Sequence, residues 1–160
     1  MAVDIFLKLD GIKGESADNK FKDQIDVLAW SWGATQMGTG HMGGGSGTGK
    51  VSVQDLTVTK YIDRSSPTLF LHCCNGKHIK KAQLIVRKAG ENPLDYLTLD
   101  LEDILVTNVS PGGSGGEDRL TESVSLNFAK INFKYKVQNE DGSAGPESEG
   151  KWDIRKNAPG

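Results

Sequence analysis

The chain has 160 residues, a length that suits one domain, and 21 acidic residues against 19 basic ones give a formal net charge of −2. That balance disfavours a dedicated nucleic-acid-binding protein, which usually carries a basic domain or stripe. Charged residues make up 25% of the chain, an ordinary share for a globular protein, so wholesale disorder is not expected. Glycine is enriched at 20 residues, and the excess lies in two clusters that predict two specific loops.

Membrane insertion and a cleavable leader are not expected. The longest apolar run is Val27–Trp30, whereas a spanning helix needs about 20 such residues. The start of the chain has no basic n-region, and Lys8 and Asp10 interrupt any apolar h-region. We therefore expect a protein that is made and folded in the cytosol and that leaves the cell, if at all, without a cleavable signal peptide.

Alternating apolar and polar residues predict strands in the first third of the chain. Residues 3–9 alternate and predict a first strand. Ile25–Gln36 reads as a longer strand that is apolar on both faces, which indicates burial on both faces by the core or by a partner subunit. Val51–Ile62 is rich in β-branched residues and predicts a further strand. Between these two strands, residues 36–50 are predicted to form an extended glycine-rich loop.

One short helix is predicted over about 66–75. Ser66 can cap it, Pro67 suits the first helical position, and Gly76 suits the exit. A helix of this length needs packing against another element to be stable. The residues expected to face the sheet are Leu69, Cys73 and either Phe70 or Cys74.

The rest of the chain is again predicted to form strands. Predicted strands lie at about 82–87, 97–101, 104–109, 124–128 and 131–137. A tight connection at Glu102–Asp103 is expected to separate the strands at 97–101 and 104–109. A one-residue phase shift near Ala129 predicts a β-bulge or a turn. Gln138–Gly150 is predicted to be a polar loop, followed by a last short strand around Trp152. The pattern predicts one mainly β domain over residues 1–160, an antiparallel barrel or sandwich of about eight to nine strands with one short flanking helix.

The glycine-rich loop 36–50 contains two motifs that imitate nucleotide-binding signatures. Gly38–Gly43 matches G-x-G-x-x-G, and Gly44–Lys50 matches G-x-x-x-x-G-K, although Val51 stands where a metal-binding Ser or Thr is required. Neither motif precedes a predicted helix whose N-terminus could receive phosphate. No nucleotide cofactor is therefore expected.

The other reactive side chains do not form a catalytic or metal-binding set. His72, Cys73 and Cys74 are consecutive helical positions, which point about 100° apart and cannot converge on one metal even with His78 nearby. Adjacent cysteines are also too close for an unstrained disulfide. Without a nucleophile elbow or a base beside a nucleophile, we expect no enzyme, no metal and no cofactor.

One polar stripe leaves two interpretations open. Lys130, Lys134 and Lys136 share a strand face with Asn132. A solvated outer face explains this arrangement, and a salt-bridging or partner-facing stripe is the alternative. Nucleic-acid binding is disfavoured, because no aromatic residue interleaves with the lysines.

Motifs distributed along the chain resemble the haemolysin-coregulated protein (Hcp) family. They occur in order between residue 1 and about residue 156, and together they are highly specific. They are Met1–Lys8, Gly14–Ser16, Ile25–Gly33, His41–Gly45, Gly49–Val51, Val53–Leu56, Thr59–Asp63, Arg87–Gly90 and Gly112–Glu122.

This resemblance implies a β-barrel with one flanking helix that forms the inner tube of the bacterial type VI secretion system. Members of the family form hexameric rings that stack, carry effector proteins in the lumen and are themselves secreted. The implied partners are further copies of the chain, effectors, and the contractile sheath and spike proteins of the machine.

Two sets of residues are predicted to serve the tube. The loop 36–50 is expected to reach the neighbouring ring, because glycine-rich backbone can adapt to a surface that it meets on assembly. The residues named for this contact are Gly38, Gly40, His41, Met42, Gly43, Gly44, Gly45 and Lys50. Ser31 and Ala29, the small members of one alternating set, are predicted to contact effectors in the lumen.

A second class of function stays open at this point. A monomeric β-sandwich could bind a ligand such as a glycan, with Trp30, Trp32 or Trp152 as a stacking platform. The mass of the protein in solution discriminates between a lone module and a ring.

Overall fold

A computed structural model describes residues 3–38 and 50–160 of the chain. These residues form nine strands and one helix in chain order. The elements are β1 (Val3–Leu9), β2 (Ile25–Ser31), β3 (Ala34–Thr35), β4 (Ser52–Val53), β5 (Leu56–Tyr61), α1 (Ser66–Asn75), β6 (Ile79–Lys88), β7 (Leu94–Gly112), β8 (Thr121–Gln138) and β9 (Ala144–Asp153).

Six strands close into an antiparallel barrel, which confirms the predicted mainly β fold and decides between barrel and sandwich. The main sheet runs in the order β5-β2-β1-β6-β7-β8-β9, and β5 also pairs with β8. That extra pairing joins Leu56–Tyr61 to Thr121–Leu126 and removes the free edges that an open sheet would present. β9 stays outside the barrel along the second half of β8, and β3 pairs only with β4 in a small separate ribbon.

The barrel interior is filled by aliphatic side chains from alternate positions of its strands. Leu7, Leu84, Leu99 and Leu126 come from four different strands and are fully buried in one continuous cluster. Because strand residues alternate between two faces, their neighbours on each strand are directed to the outside of the barrel. The outside is therefore available for functional surfaces.

Helix α1 forms where the sequence predicts it. Pro67 lies in the first turn, and Gly76 ends the helix with a positive φ of 69°. Leu69 is buried and Cys73 is half-buried, as expected, whereas Phe70 and Cys74 are both exposed. The prediction that Ser66 caps the helix is wrong: the N-cap position is Ser65, which makes no side-chain capping bond, and the Ser66 hydroxyl is bonded to Glu122 of the barrel.

The predicted break at Glu102–Asp103 is wrong, and β7 runs through it. Asp103 has a φ of 55°, in the left-handed region. The apolar positions of β7 are odd-numbered before this residue and even-numbered after it, and the strand does not end there. β8 is likewise continuous past Ala129, and the register between Glu102↔Lys130 and Ile104↔Phe128 does not change. Neither the predicted turn nor a bulge therefore occurs at Ala129, and the phase shift accompanies the left-handed Asp103 on the paired strand.

The prediction of a polar loop over Gln138–Gly150 is also wrong. Only residues 139–143 turn, and strand β9 follows from Ala144. β9 is an edge strand that pairs with β8 on one side only. An edge strand exposed to solvent needs no apolar alternation and tolerates Pro146, so its sequence resembles a loop.

Two further predicted strands are interrupted. β2 ends at Ser31, and its pairing with β5 shifts register between Val27 and Ala29. Leu28 lies at this bulge and is exposed, so the strand is not buried on both faces within one chain. Val51–Ile62 divides into β4 and β5.

Candidate assembly surfaces

The bulge in β2 directs the two predicted lumen residues outward. Before it, Ile25 and Val27 are buried in the barrel; after it, Trp30 packs against the core and its neighbours Ala29 and Ser31 are exposed. The irregularity therefore exchanges the strand's inward and outward positions. It places Ala29 and Ser31 together on the outside of the barrel.

These two residues belong to a wider uncharged surface, here called the hydroxyl face. Ser31 pairs with Thr57, and Thr57 pairs with Ser125, with 2.9 Å between the two hydroxyl oxygens of the latter pair. A second row crosses the same strands through Ala29 and Thr59. The hydroxyl face consists of Ala29, Ser31, Thr57, Thr59, Ser110, Ser123 and Ser125. Four strands thus present small side chains, six of them with hydroxyl groups, on one continuous surface.

The three tryptophans considered above as a stacking platform pack against the barrel core. Trp30, Trp32 and Trp152 are each half-buried and packed against the barrel core. Trp32 also meets Phe133 edge-to-face, with 5.5 Å between the ring centroids. Contacts of this kind stabilise the barrel and hold the rings in place.

The glycine-rich segment departs from a short β-ribbon. β3 pairs with β4 through Ala34↔Val53 and Thr35↔Ser52, and the amide of Gln54 donates to the carbonyl of Gly33 at 2.7 Å. Gly38 and Lys50 follow the two ends of this ribbon and are exposed. The other residues named for ring stacking, Gly40 to Gly45, lie outside the described residues.

The lysine stripe on β8 forms ion pairs. Lys134 lies 2.8 Å from Asp100 on β7, whose carboxylate raises the pKa of that lysine. Lys130 and Lys136 each lie 3.8 Å from carboxylates of β9, those of Asp153 and Glu147. Strands with acidic and basic outer side chains alternate here, which confirms the salt-bridging alternative. This surface, the outer side of β7, β8 and β9, is here called the charged face.

A buried ionic cluster joins the barrel seam to helix α1. The Lys60 ammonium is fully buried and donates to Glu122 at 2.5 Å, and it lies 3.2 Å from Asp63. The Ser66 hydroxyl donates to the same Glu122 oxygen at 2.8 Å. Lys60 and Glu122 are also paired across the strands that close the barrel. The cluster therefore fixes the start of α1 against the closing seam.

Sequence reasoning missed this cluster, although a signal was present. Leu56, Val58 and Lys60 occupy alternate positions of one strand, so Lys60 follows two inward-facing residues. A lysine on the apolar side of a strand requires a buried carboxylate partner. Its partner is 62 residues away in the chain, and the sequence alone does not identify it.

A second charged cluster fastens the segment 11–24 to the outside of the barrel. The Arg87 guanidinium donates to Asp18 at 2.5 Å and to Asp4 at 3.0 Å. It also lies over the rings of Phe6 and Phe21, 5.0 and 5.5 Å from their centroids. This bidentate partner holds the pKa of Asp18 down at about 2.

The histidines and cysteines that imitate a metal site in the sequence do not come together in the fold. His72 bonds to the Thr68 carbonyl, and His78 lies 2.6 Å from Asp103. Cys73 and Cys74 are free thiols. Within residues 3–38 and 50–160, no three His, Cys, Asp or Glu side chains are grouped to hold a metal ion. In the same ranges no helix has the length and apolar character needed to cross a membrane.

Comparison with known proteins identifies the family. The family described as "Type VI secretion system effector, Hcp" matches residues 6–135. This chain belongs to the Hcp family of type VI secretion proteins. It is 56% identical over 160 residues to Protein hcp1 of Pseudomonas aeruginosa, with 98% of each chain covered.

Solved structures of type VI secretion proteins share the whole fold. The crystal structure of Hcp1 from Salmonella typhimurium is 41% identical and superposes with a TM-score of 0.81, covering 99% of both chains. A structure described as a type six secretion system protein is 28% identical with a TM-score of 0.91, covering 99% of this chain and 100% of the other. The similarity thus extends over the barrel, the helix and β9.

Proposed function

We propose that this Hcp chain is the repeating subunit of the inner tube of a type VI secretion machine. A single domain over residues 1–160 forms hexameric rings, the rings stack into a tube, and effector proteins travel in the lumen. The chain acts as a structural subunit and carrier and not as an enzyme. It is made in the cytoplasm and is itself secreted.

The hydroxyl face is the observation that carries this proposal. It crosses β2, β5, β8 and β7 on the outside of the barrel and bears no charge. A lumen wall must hold cargo and also release it, which requires weak contacts spread over an area. Small hydroxyl groups satisfy that need, because each protein–protein hydrogen bond replaces one with water and its net contribution is only about 0.5–1.5 kcal/mol.

The other partners are assigned to the remaining surfaces. The loop 36–50 reaches the neighbouring ring, since Gly38 and Lys50 extend from the β3–β4 ribbon and not from the barrel sheet. The contractile sheath surrounds the tube and the spike proteins cap it. Because the lysines of the charged face are already paired, we assign no nucleic-acid binding to it.

The carrier role is tested by replacing Ser31 with a larger side chain. Wild-type protein should form annular particles by electron microscopy, with six times the 17.3 kDa mass of one chain by light scattering. Ser31→Gln should form the same rings and lose co-purifying effectors, because its side chain projects into the space that cargo occupies. Ser31→Ala is the matched control and should retain them. Equal retention by Ser31→Gln would refute the lumen assignment, and a wild-type protein that remains a monomer would refute the tube.

Stacking is tested separately. Deletion of Gly43–Gly47 should leave single rings intact and reduce tube formation, since it shortens the segment assigned to the neighbouring ring. Sedimentation velocity distinguishes single rings from stacks. Unchanged stacking by the shortened chain would contradict this role of the loop.

A further inference from the structure

The β3–β4 ribbon depends on the barrel for its direction. Within the described residues β3 pairs with β4 alone, and each strand is two residues long. Such a ribbon is at best marginally stable by itself in water. Ala34, Thr35 and Ser52 are exposed, and Val53 is the ribbon residue that packs against the barrel core. The connections on either side of the ribbon must therefore fix where it points.

The two connections to the barrel are held in different ways. On the side of β2, Trp32 packs against the core. On the side of β5, the amide of Gln54 donates to the carbonyl of Gly33 at 2.7 Å, which closes the base of the ribbon. Asp55 comes next and precedes the first residue of β5. Asp55 is thus the last residue between the ribbon and the closed barrel.

Both carboxylate oxygens of Asp55 are bonded to the outside of the barrel. The Thr107 hydroxyl donates to Oδ2 at 2.6 Å, and the side-chain amide of Asn127 donates to Oδ1 at 3.0 Å. Thr107 belongs to β7 and Asn127 belongs to β8. Hydrogen bonds to an ionised acceptor are shorter and stronger than bonds between neutral groups. We call Asp55, Thr107 and Asn127 the Asp55 clasp, which ties the foot of the ribbon to two barrel strands.

A β-bulge supplies the donor on β7. The pairing of β7 with β8 shifts register between Val106 and Asn108, so Thr107 is an extra residue in the ladder. A bulge of this kind re-aims a side chain. The Thr107 hydroxyl also lies 3.2 Å from the Ser125 carbonyl. Because β5 and β7 both pair with β8, the bond from Thr107 to Asp55 crosses over that strand.

The clasp is separate from the contacts that close the barrel. β5 pairs with β8 along its whole length, and Asp55 precedes that ladder. Leu56 and Val58 of β5 are fully buried in the core, whereas Thr107 and Asn127 are exposed. Loss of the clasp should therefore leave the barrel closed and release the ribbon.

We propose that Asp55 is a positioning residue for ring stacking. Its bonds to Thr107 and Asn127 set the direction in which the β3–β4 ribbon leaves the barrel, and thereby where the loop 36–50 meets the neighbouring ring. This inference rests on the proposed function, which assigns that contact to the loop. Asp55 acts within its own chain, because both of its carboxylate oxygens already accept hydrogen bonds there.

Substitution of Asp55 tests this role through stacking. Asp55→Ala should form single rings by light scattering and stack about tenfold more weakly by sedimentation velocity, because it loses two charge-assisted hydrogen bonds that orient the ribbon. Asp55→Asn should keep most of the stacking. Its carbonyl can accept from Asn127 and its NH₂ can donate to Thr107, whose hydroxyl then donates to the Ser125 carbonyl. The matched control is Glu102→Ala, which removes an exposed carboxylate without an ion pair in the described residues and should stack like the wild type.

Hydrogen–deuterium exchange reads the ribbon directly in unstacked protein. Asp55→Ala should speed exchange of the β3 and β4 amides about tenfold and leave the barrel strands unchanged, because the opening is local. Thr107→Val removes one of the two bonds and should speed exchange by a smaller factor. Adding Thr107→Val to Asp55→Ala should have no further effect, since the two residues share one bond. Thr98→Val is the control, because the Thr98 hydroxyl has no hydrogen-bond partner in the described part of the chain.

The outcomes separate this inference from the proposed function. If the chain shortened by Gly43–Gly47 stacks poorly while Asp55→Ala stacks and exchanges like the wild type, the positioning role is overturned and the role of the loop stands. If the shortened chain stacks normally, the role of the loop is overturned, whereas faster ribbon exchange in Asp55→Ala still supports the clasp. Loss of rings by Asp55→Ala would overturn the inference as well, since the residue would then be needed for the barrel itself.

Discussion

The two halves of strand β8 differ in where their charged side chains lie. In the first half, Glu122 is buried with Lys60 at the seam, and the outward residues are uncharged hydroxyl side chains. In the second half, Lys130, Lys134 and Lys136 face solvent and pair with acids of the adjacent strands. The first half of β8 therefore combines one buried ion pair with a neutral outer surface. The second half combines several exposed ion pairs on one side of the sheet with apolar side chains on the other.

This difference teaches that the number of ion pairs does not measure their importance. An exposed pair contributes little, because water and salt already stabilise its separated charges. A buried pair is costly to form, and removing one partner leaves an uncompensated charge in the protein interior. We therefore expect the barrel to depend on the lone pair in the first half of β8 and to tolerate losses in the second.

The largest effect is expected at the seam. Lys60→Met should lower the free energy of unfolding by about 3–5 kcal/mol, because the carboxylates of Glu122 and Asp63 both stay buried without their cation. Urea denaturation measures this loss. Glu147→Gln, which removes an exposed partner of Lys136, should cost less than about 1 kcal/mol. Similar losses for both variants would break the contrast between the two halves.

An intermediate effect is expected from Arg87, whose guanidinium is largely buried but whose partner Asp18 is near the surface. The ion pair lowers the pKa of Asp18 from 3.8 to about 2. A lowered pKa in the folded state stabilises the fold above the ordinary value, and that stability is lost as pH falls toward the lowered one. Thermal melts should therefore show wild type above Asp18→Asn near pH 5, with the gap closing toward pH 2. A gap that stays constant over this range would contradict the assignment.

The smallest effect is expected on the charged face. Lys134→Ala should reduce stability by about 0.2–1 kcal/mol, since Asp100 remains accessible to water. Most of that loss should vanish in about 1 M salt, where the Debye length is roughly 3 Å. Lys80→Ala is the control, because Lys80 is exposed and makes no ion pair in the described part of the chain. A salt-insensitive loss at Lys134 would show that packing of its aliphatic stem dominates.

Regular alternation and helix-end residues made much of the fold predictable. The strands β1, β5 and β6 repeat apolar residues at every second position, and Pro67 and Gly76 bracket α1. These signals are local, because each depends on residues within a few positions of one another. The change of apolar parity at Asp103 predicted a connection where the strand in fact continues, and most of the edge strand β9 escaped prediction, since it leaves no local apolar pattern.

The candidate surfaces were predictable only in part. Ser31 and Ala29 could be chosen as small residues of one alternating set, but the extent of the hydroxyl face depends on pairing with Thr57 and Ser125. The bulge between Val27 and Ala29, which turns these residues outward, has no signature in the sequence. The exposure of Phe133 and Tyr135 likewise depends on which β9 residues lie opposite them.

The sequence by itself determined the β-rich class, the position of the helix and, through ordered motifs, the resemblance to Hcp proteins. Tertiary structure alone decided that β5 meets β8, that Lys60 finds Glu122, and which side chains share each outer face. The physical reason is the range of the interactions. Periodicity and capping act between near neighbours, whereas barrel closure and ion pairing join residues about 60 positions apart, whose partners are chosen only when the sheet closes.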